Sequence, residues 1–202
     1  LVEVVKENID VISEFNALKR EGLGIEELHF YDNYVPLVKD VDKKYSYEEA
    51  IELVRTALEP LGAEYLRKYD ATVRARVIDV FESFGKRSGA FSWGSYASRG
   101  LIFLNYTEKL SDVSTFAHEF GHCLHRDYSI ENQPYIYYQN PIFLAEIAST
   151  FNEALLFDHM SKIAESSEEK KFFLYHNMKR IEATFYRQTM FANFEMDVHE
   201  MA

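Results

Sequence analysis

The residues best equipped for chemistry lie together at His118-Glu119-Phe120-Gly121-His122, two histidines four positions apart with a glutamate beside the first. In a helix of about 3.6 residues per turn, histidines at that spacing share a face, so both imidazoles can reach one tetrahedral metal ion. Zinc suits such a donor set. A carboxylate at Glu119 can then take a proton from a water that the ion polarises, and the water attacks a peptide carbonyl. The pattern alone is only moderately specific, since paired histidines also occur in polar helix interfaces.

The third donor must come from another segment. Glu146 stands in apolar company, Phe143-Leu144-Ala145-Glu146-Ile147-Ala148-Ser149, in a second helical stretch. If the two helices run antiparallel, its carboxylate completes a set of two histidines and one glutamate with a position left open for water. A buried, unpaired carboxylate would be costly, and a metal removes that cost; an ordinary ion pair with a nearby base is the competing reading. His125 is an alternative third ligand, but on the same rigid helix it is poorly placed to close a tetrahedron. Glu153 follows Glu146 by two helical turns and is expected to accept the remaining N–H of a metal-bound imidazole, or else to be a solvated or salt-bridged acid. One Zn2+ per chain is expected. Asp112, Asp127 and His159 read as capping or surface residues.

These residues need elements to hold them. Apolar residues at Val5, Ile9, Ile12 and Phe15 predict an amphipathic helix from Val2 to Arg20, stopped by Gly22 and Gly24. Ser46 and Glu49 form a capping-box pattern for a helix that Pro60 ends, and Leu66, Tyr69, Val73, Val77 and Val80 predict another from Ala63 to Ser83. From Gly85 to Tyr106 the sequence turns to Gly, Ser and aromatics, then to Leu101-Ile102-Phe103-Leu104, which predicts strands turned by Gly94 and Gly100. The strand Leu101 to Asn105 could offer an edge to an extended peptide, or be plain core. Ser111 or Asp112 can cap a helix through about His125, Asn140-Pro141 can start one through about Lys162, and a last pair fills Glu168 to Ala202. The expected fold is mainly α with a small β-hairpin or sheet before the zinc helix: a helical scaffold at 1–85, the hairpin at 86–110 and the zinc-binding and following helices at 111–202, all part of one catalytic domain.

Composition narrows the partners. With 33 acidic and 22 basic residues among 202, the chain carries a net charge of −11, which disfavours phosphate backbones and anionic membrane surfaces. Nucleic acid and membrane are therefore not expected partners, and no apolar run approaches the roughly 18 residues of a spanning helix. A lone cysteine, Cys123, and no secretory leader pattern point to a soluble protein of the reducing cytoplasm. The chain opens at Leu1 and closes at Ala202 inside an amphipathic pattern, so it reads as a piece of a longer protein.

Beyond the zinc motif, several segments resemble the thimet oligopeptidase-like zinc peptidases, and more closely their oligoendopeptidase F branch. They are Lys86-Arg87-Ser88-Gly89-Ala90, Leu104-Asn105-Tyr106, Phe116-Ala117 leading into the motif, Asn132-Gln133-Pro134, Ala145-Glu146-Ile147-Ala148-Ser149, and Phe185-Tyr186-Arg187-Gln188-Thr189-Met190-Phe191. The resemblance implies a helical, zincin-type (gluzincin) core, with His118, His122 and Glu146 on zinc, Glu119 activating water, and cleavage of internal bonds in short, unstructured peptides. It also implies a His- and Tyr-rich oxyanion-stabilising segment, to which His199 and the tyrosines at 135, 137 and 138 do not correspond; that segment, like the family's N-terminal domain, is expected outside these residues. The competing readings are a zinc carboxypeptidase and a non-catalytic, zinc-stabilised peptide-binding module.

Overall fold

Helices dominate the computed structural model, which describes residues 2–39 and 43–201. In chain order the elements are α1 (Val2–Glu7), α2 (Asp10–Leu23), α3 (Tyr47–Ala57), α4 (Gly62–Arg74), β1 (Ile78–Phe81), β2 (Phe91–Trp93), β3 (Leu101–Tyr106), α5 (Leu110–Asn132), α6 (Ile142–Ile163), α7 (Ser167–Ile181) and α8 (Arg187–Glu200). They fall into two compact units, one of Asp42–Ile163 and one of Leu1–Val41 with Ala164–Ala202. Among the described residues, no helix is long and apolar enough to cross a membrane.

The unit of the two chain ends holds α1, α2, α7 and α8. The helix expected from Val2 to Arg20 is broken near Asn8 and then runs on to Leu23, where Gly24 takes φ 66° and closes it with its N–H on the Arg20 and Glu21 carbonyls. That left-handed conformation costs a glycine little and most other residues more. Phe15 packs on Tyr175, and the Tyr186 hydroxyl donates to the Asn8 carbonyl at 3.2 Å. A π-helical turn at Glu182–Tyr186 joins α7 to α8.

In the other unit the first helix starts as the sequence predicts. The Ser46 N–H donates to Glu49 Oε2 at 2.7 Å while the Glu49 N–H donates to Ser46 Oγ, a reciprocal cap. The expected helix from Ala63 to Ser83 does not hold to its end. Helix α4 stops at Arg74, Arg76 turns the chain at φ 55°, and Ile78–Phe81 becomes β1, so the scaffold assigned to 1–85 contains a strand. Val77 and Val80 continue a helical face by spacing, but they and Ile78 have branched side chains that suit a pleated surface, and pairing with β3 decides the matter.

The three strands lie in the order β1-β3-β2, with β1 parallel and β2 antiparallel to β3. Strand β3 is therefore central, with both of its edges paired, and cannot lend one to a peptide; the exposed edge next to the helices belongs to β2. Ile102, Leu104 and Tyr106 alternate into the core with Phe116, Phe120, Leu124, Leu156 and the ring of Tyr69, all essentially inaccessible to solvent. Each such side chain contributes on the order of 1.5–3 kcal/mol by leaving water.

Helix α5 begins just after Glu108, a left-handed turn residue, and Asp112 Oδ2 accepts the Thr107 and Lys109 N–H groups at 2.7 and 3.0 Å. Asp112 thus caps from the third helical position. The helix runs well past His125, to Asn132. It crosses α6 antiparallel, with Ser114 against Glu153, Ala117 against Asn152 and Gly121 against Ser149. At that last point a Cβ on Gly121 would lie 2.5 Å from Ser149 Cα and 2.7 Å from the Ala148 carbonyl oxygen, so backbone meets backbone and only glycine fits. Gly121→Ala is expected to destabilise the fold by about 1–3 kcal/mol through forced separation of the helices. A thermal melt reads it as a lowered Tm, and an unchanged Tm would show that the crossing can relax.

Candidate metal centre

The crossing of α5 and α6 places two imidazoles beneath a carboxylate. His118 Nε2 and His122 Nε2 are 3.1 Å apart, and Glu146 Oε2 lies 3.2 Å from the first and 3.4 Å from the second. Donor atoms about 2.1 Å from a tetrahedral zinc ion stand about 3.4 Å from one another, so this triangle has the dimensions of three ligands around one ion. Among the described residues these three form the group able to hold a metal. His125, the alternative ligand, is turned towards the Asn140 side chain, 3.2 Å from its Nε2, and stands outside the group.

Glu146 differs from expectation in one respect: its side chain is 53% exposed, not buried. The first turns of α6 project at the rim of the cleft, with Ile142 and Phe143 also exposed, so water and not apolar packing surrounds the acid. Ser149 orients it, donating its hydroxyl to Glu146 Oε2 at 2.7 Å. The buried acids beside the imidazoles are Glu119 and Glu153, at 6% and 7% exposure. Glu153 Oε1 lies 2.6 Å from His118 Nδ1 and its Oε2 accepts the Ser114 hydroxyl at 3.0 Å. Nδ1 therefore carries the proton, and Nε2 presents its lone pair to the centre of the triangle.

The ionisable groups are tuned against one another. Burial pulls the His118 pKa down, but the hydrogen bond and charge of Glu153, aided by Glu119 and Glu146, outweigh it and raise the value above the usual histidine range. Burial lowers His122, and the Glu146 charge and a hydrogen bond to the Ala145 backbone only partly offset it. Burial pushes the Glu119 carboxyl up to about 7, with Glu146 and Glu153 adding to the rise and His118 and the Ser92 backbone opposing it. Glu119 Oε2 is buried without a hydrogen-bond partner among the described residues. An acid so placed is a strong acceptor for a proton or a water that enters the cleft.

That cleft, of about 590 Å³, is floored by His118, Glu119, His122 and Glu146 and bordered by Phe91–Gly94 on one side and Tyr138–Asn140 on the other. Other residues that support the centre carry little signal in the sequence. Ser149 and Ser114 were visible only as neighbours three and four positions from Glu146 and His118 on their helix faces. Asn152 ties the helices together, donating to the Ala117 carbonyl at 3.1 Å while bonded to the Tyr65 hydroxyl. Arg126, one turn beyond His122, also lines the cleft.

Two measurements test the centre. Replacing Glu153 with Gln removes the charged acceptor of His118 Nδ1–H, and zinc affinity is expected to fall roughly 10–100-fold in a chelator competition titration. Because a ligand must shed its proton to bind metal, zinc uptake near pH 6.5 is expected to release on the order of one proton per ion, drawn from the raised His118 and the adjoining Glu119. Calorimetry in buffers of differing ionisation enthalpy measures that number. Release should fade as pH rises through the titration of Glu119 at about 7 and of the raised His118, and a pH-independent value of zero would contradict the assignment.

Comparison with known proteins gives the family of the chain. A family model described as Peptidase family M3 matches residues 1–202. Oligopeptidase PepF of Bacillus subtilis is 39% identical over 202 residues, covering 100% of this chain and 30% of its own length. The oligoendopeptidase F homolog of Borreliella burgdorferi is 41% identical over 203 residues, covering 100% of this chain and 34% of its own. Among solved structures, one described as a peptidase from Chlamydophila abortus superposes with a TM-score of 0.88 at 44% identity over 98% of this chain and 33% of that one. Oligoendopeptidase-F from Enterococcus faecium does so with a TM-score of 0.63 at 26% identity, over 98% and 27%. The chain thus spans about a third of the length of the relatives it matches. With the match running from first residue to last, and with helices and sheet arranged as in those structures, this chain belongs to peptidase family M3.

Proposed function

We propose that this chain is the zinc-binding core of a metalloendopeptidase that hydrolyses internal bonds of short, unstructured oligopeptides. His118, His122 and Glu146 are its metal ligands, Glu119 its general base, and one Zn2+ serves each chain. The observation that carries the reading is the triangle of donor atoms with a buried, unpartnered carboxylate oxygen beside it. A bound zinc ion supplies Lewis acidity there, polarising the scissile carbonyl and making water acidic enough to attack it.

The chain's own residues do the rest. Glu119 takes the proton of the attacking water at Oε2 and later hands it to the leaving amine, roles suited to a carboxyl drawn towards neutrality. Glu153 holds His118 in the tautomer that leaves Nε2 free. The unpaired edge of β2 borders the cleft and offers main-chain donors and acceptors to an extended peptide, which fixes the scissile bond without demanding particular side chains. This replaces the role considered for Leu101 to Asn105. A site that only captured peptides would have no need of a buried acid at Glu119, which is why the catalytic reading is preferred to the binding module. The names of the relatives, oligoendopeptidases F among them, favour internal cleavage over trimming from an end.

Glu119→Gln in the full-length protein is expected to keep its zinc, by metal analysis, and to lose about 10²–10⁴ in kcat on a quenched fluorescent peptide. Undiminished hydrolysis in a folded, zinc-loaded variant would remove Glu119 from the mechanism.

A further inference from the structure

Arg126 is the one Arg or Lys among the residues that line the cleft. It follows His118 and His122 at the same four-residue interval, so it lies on their face of α5, about 6 Å further along the helix axis from His122. Its guanidinium is held only by weak acceptors. Nη1 donates to Ser92 Oγ at 3.4 Å, Nη2 to Cys123 Sγ at 3.4 Å, and Nε is buried with no acceptor among the described residues. No carboxylate of the described residues forms an ion pair with it. The neighbouring acid Asp127 feels the Arg126 charge without forming an ion pair with it, and it lines a different hollow, with Lys68 and Arg99.

The position is built, not incidental. A Cβ on Gly100 would collide with Arg126 Nη2, and one on Gly94 would stand 3.0 Å from Arg126 Cζ and Nε, so the guanidinium packs over two stretches of backbone that glycine leaves open. A half-buried guanidinium with five donors and only weak acceptors lacks the bidentate carboxylate that its fork fits best. A peptide along β2 advances about 3.3 Å per residue, so the distance from the metal face to Arg126 corresponds to about two residues.

We propose that Arg126 is a specificity-determining residue that receives a peptide carboxylate about two residues from the scissile bond. The carboxylate is a Glu or Asp side chain or the free C-terminus of a short peptide. This inference rests on the peptidase reading, and it deepens that reading by naming the substrate feature the cleft selects.

The test uses the full-length, zinc-loaded protein and a neutral peptide that it cleaves. Gln is replaced by Glu at each position flanking the scissile bond in amidated peptides, and a parallel set is truncated so that a free C-terminus falls at each position. Wild type should favour the acidic peptide roughly ten- to hundredfold at one position, through KM. The two sets tell a side chain from a terminus. Arg126→Lys should keep the preference in weakened form, Arg126→Gln should abolish it, and Arg126→Glu should invert it towards Lys at that position. A purely structural clamp between β2 and α5 would slow all peptides alike and leave the ratios unchanged. Calorimetric binding of Glu and Gln peptides with a reduced, uncleavable scissile amide gives the same comparison without turnover, and decides the matter should no peptide be cleaved, an outcome that counts against the peptidase reading alone. A Glu-to-Gln ratio near one in wild type, in cleavage or in binding, or a preference that neither Arg126→Gln nor Arg126→Lys alters, overturns the proposal.

Discussion

Gly121 of α5 meets the Ser149 backbone of α6 so closely that no Cβ fits between them, and the chemistry of the cleft follows from that crossing. Side chains near such a crossing are brought within hydrogen-bonding distance whether or not their charges favour it. Glu153 meets His118, Glu146 meets both imidazoles, and Asn152 reaches across to the Ala117 carbonyl. A wider interface would let water in, relax these pairs and return the acids to their ordinary behaviour. The fold holds its helices together by apolar contacts among Phe116, Phe120, Leu124, Leu156 and Met160, and so places several ionisable groups where solvation is poor.

The arrangement of lone pairs explains why this is tolerable. His118 gives its Nδ1 proton to Glu153, so its Nε2 confronts His122 Nε2 across 3.1 Å and the Glu146 oxygen across 3.2 Å. Without a cation among them, a proton must lie between these donors, as the Nε2–H tautomer of His122 would supply. The Glu153 hydrogen bond and the charges of Glu153, Glu119 and Glu146 raise the His118 pKa against burial. A dication would answer the need of all three donors together. The same charge would act on Glu119, whose carboxyl is raised to about 7 because it is buried beside other acids.

The sequence made the centre legible because its chemistry is local or periodic. Two histidines a turn apart and a glutamate beside one of them need only a helix, and Glu146 with Glu153 need only a second helix on the proper side. What it concealed was set by pairing between distant segments. The stretch from Val77 to Val80 has helical spacing and strand-forming side chains, and only its partner β3 decides between them. The same sheet order puts β3 in the middle and leaves the free edge beside the cleft to β2, a matter of topology that no single strand reveals. Glu146 was read as buried because its neighbours are apolar, yet Ile142, Phe143 and Ile147 are themselves exposed at that end of α6. Local hydrophobicity indicates burial only when something covers it.

Arg126 was passed over for a related reason. On sequence it is one more basic residue on an amphipathic helix, where a solvated charge is the ordinary expectation. Its significance comes from Gly94 and Gly100, which lie in a loop remote in sequence and leave the room its guanidinium occupies. The position bears on the electrostatics of the whole cleft. Glu119, Glu146 and Glu153 gather acidic groups at one end, where a dication would balance their charge, while Arg126 stands a turn away with no carboxylate of the described residues in an ion pair with it. A substrate carboxylate placed near the metal would compete with Glu146 and meet Glu119 at close range. One placed at Arg126 finds an opposite charge and avoids both. The field along α5 thus separates the end that polarises a carbonyl from the end that would hold an anion, and a peptide lying along β2 passes both.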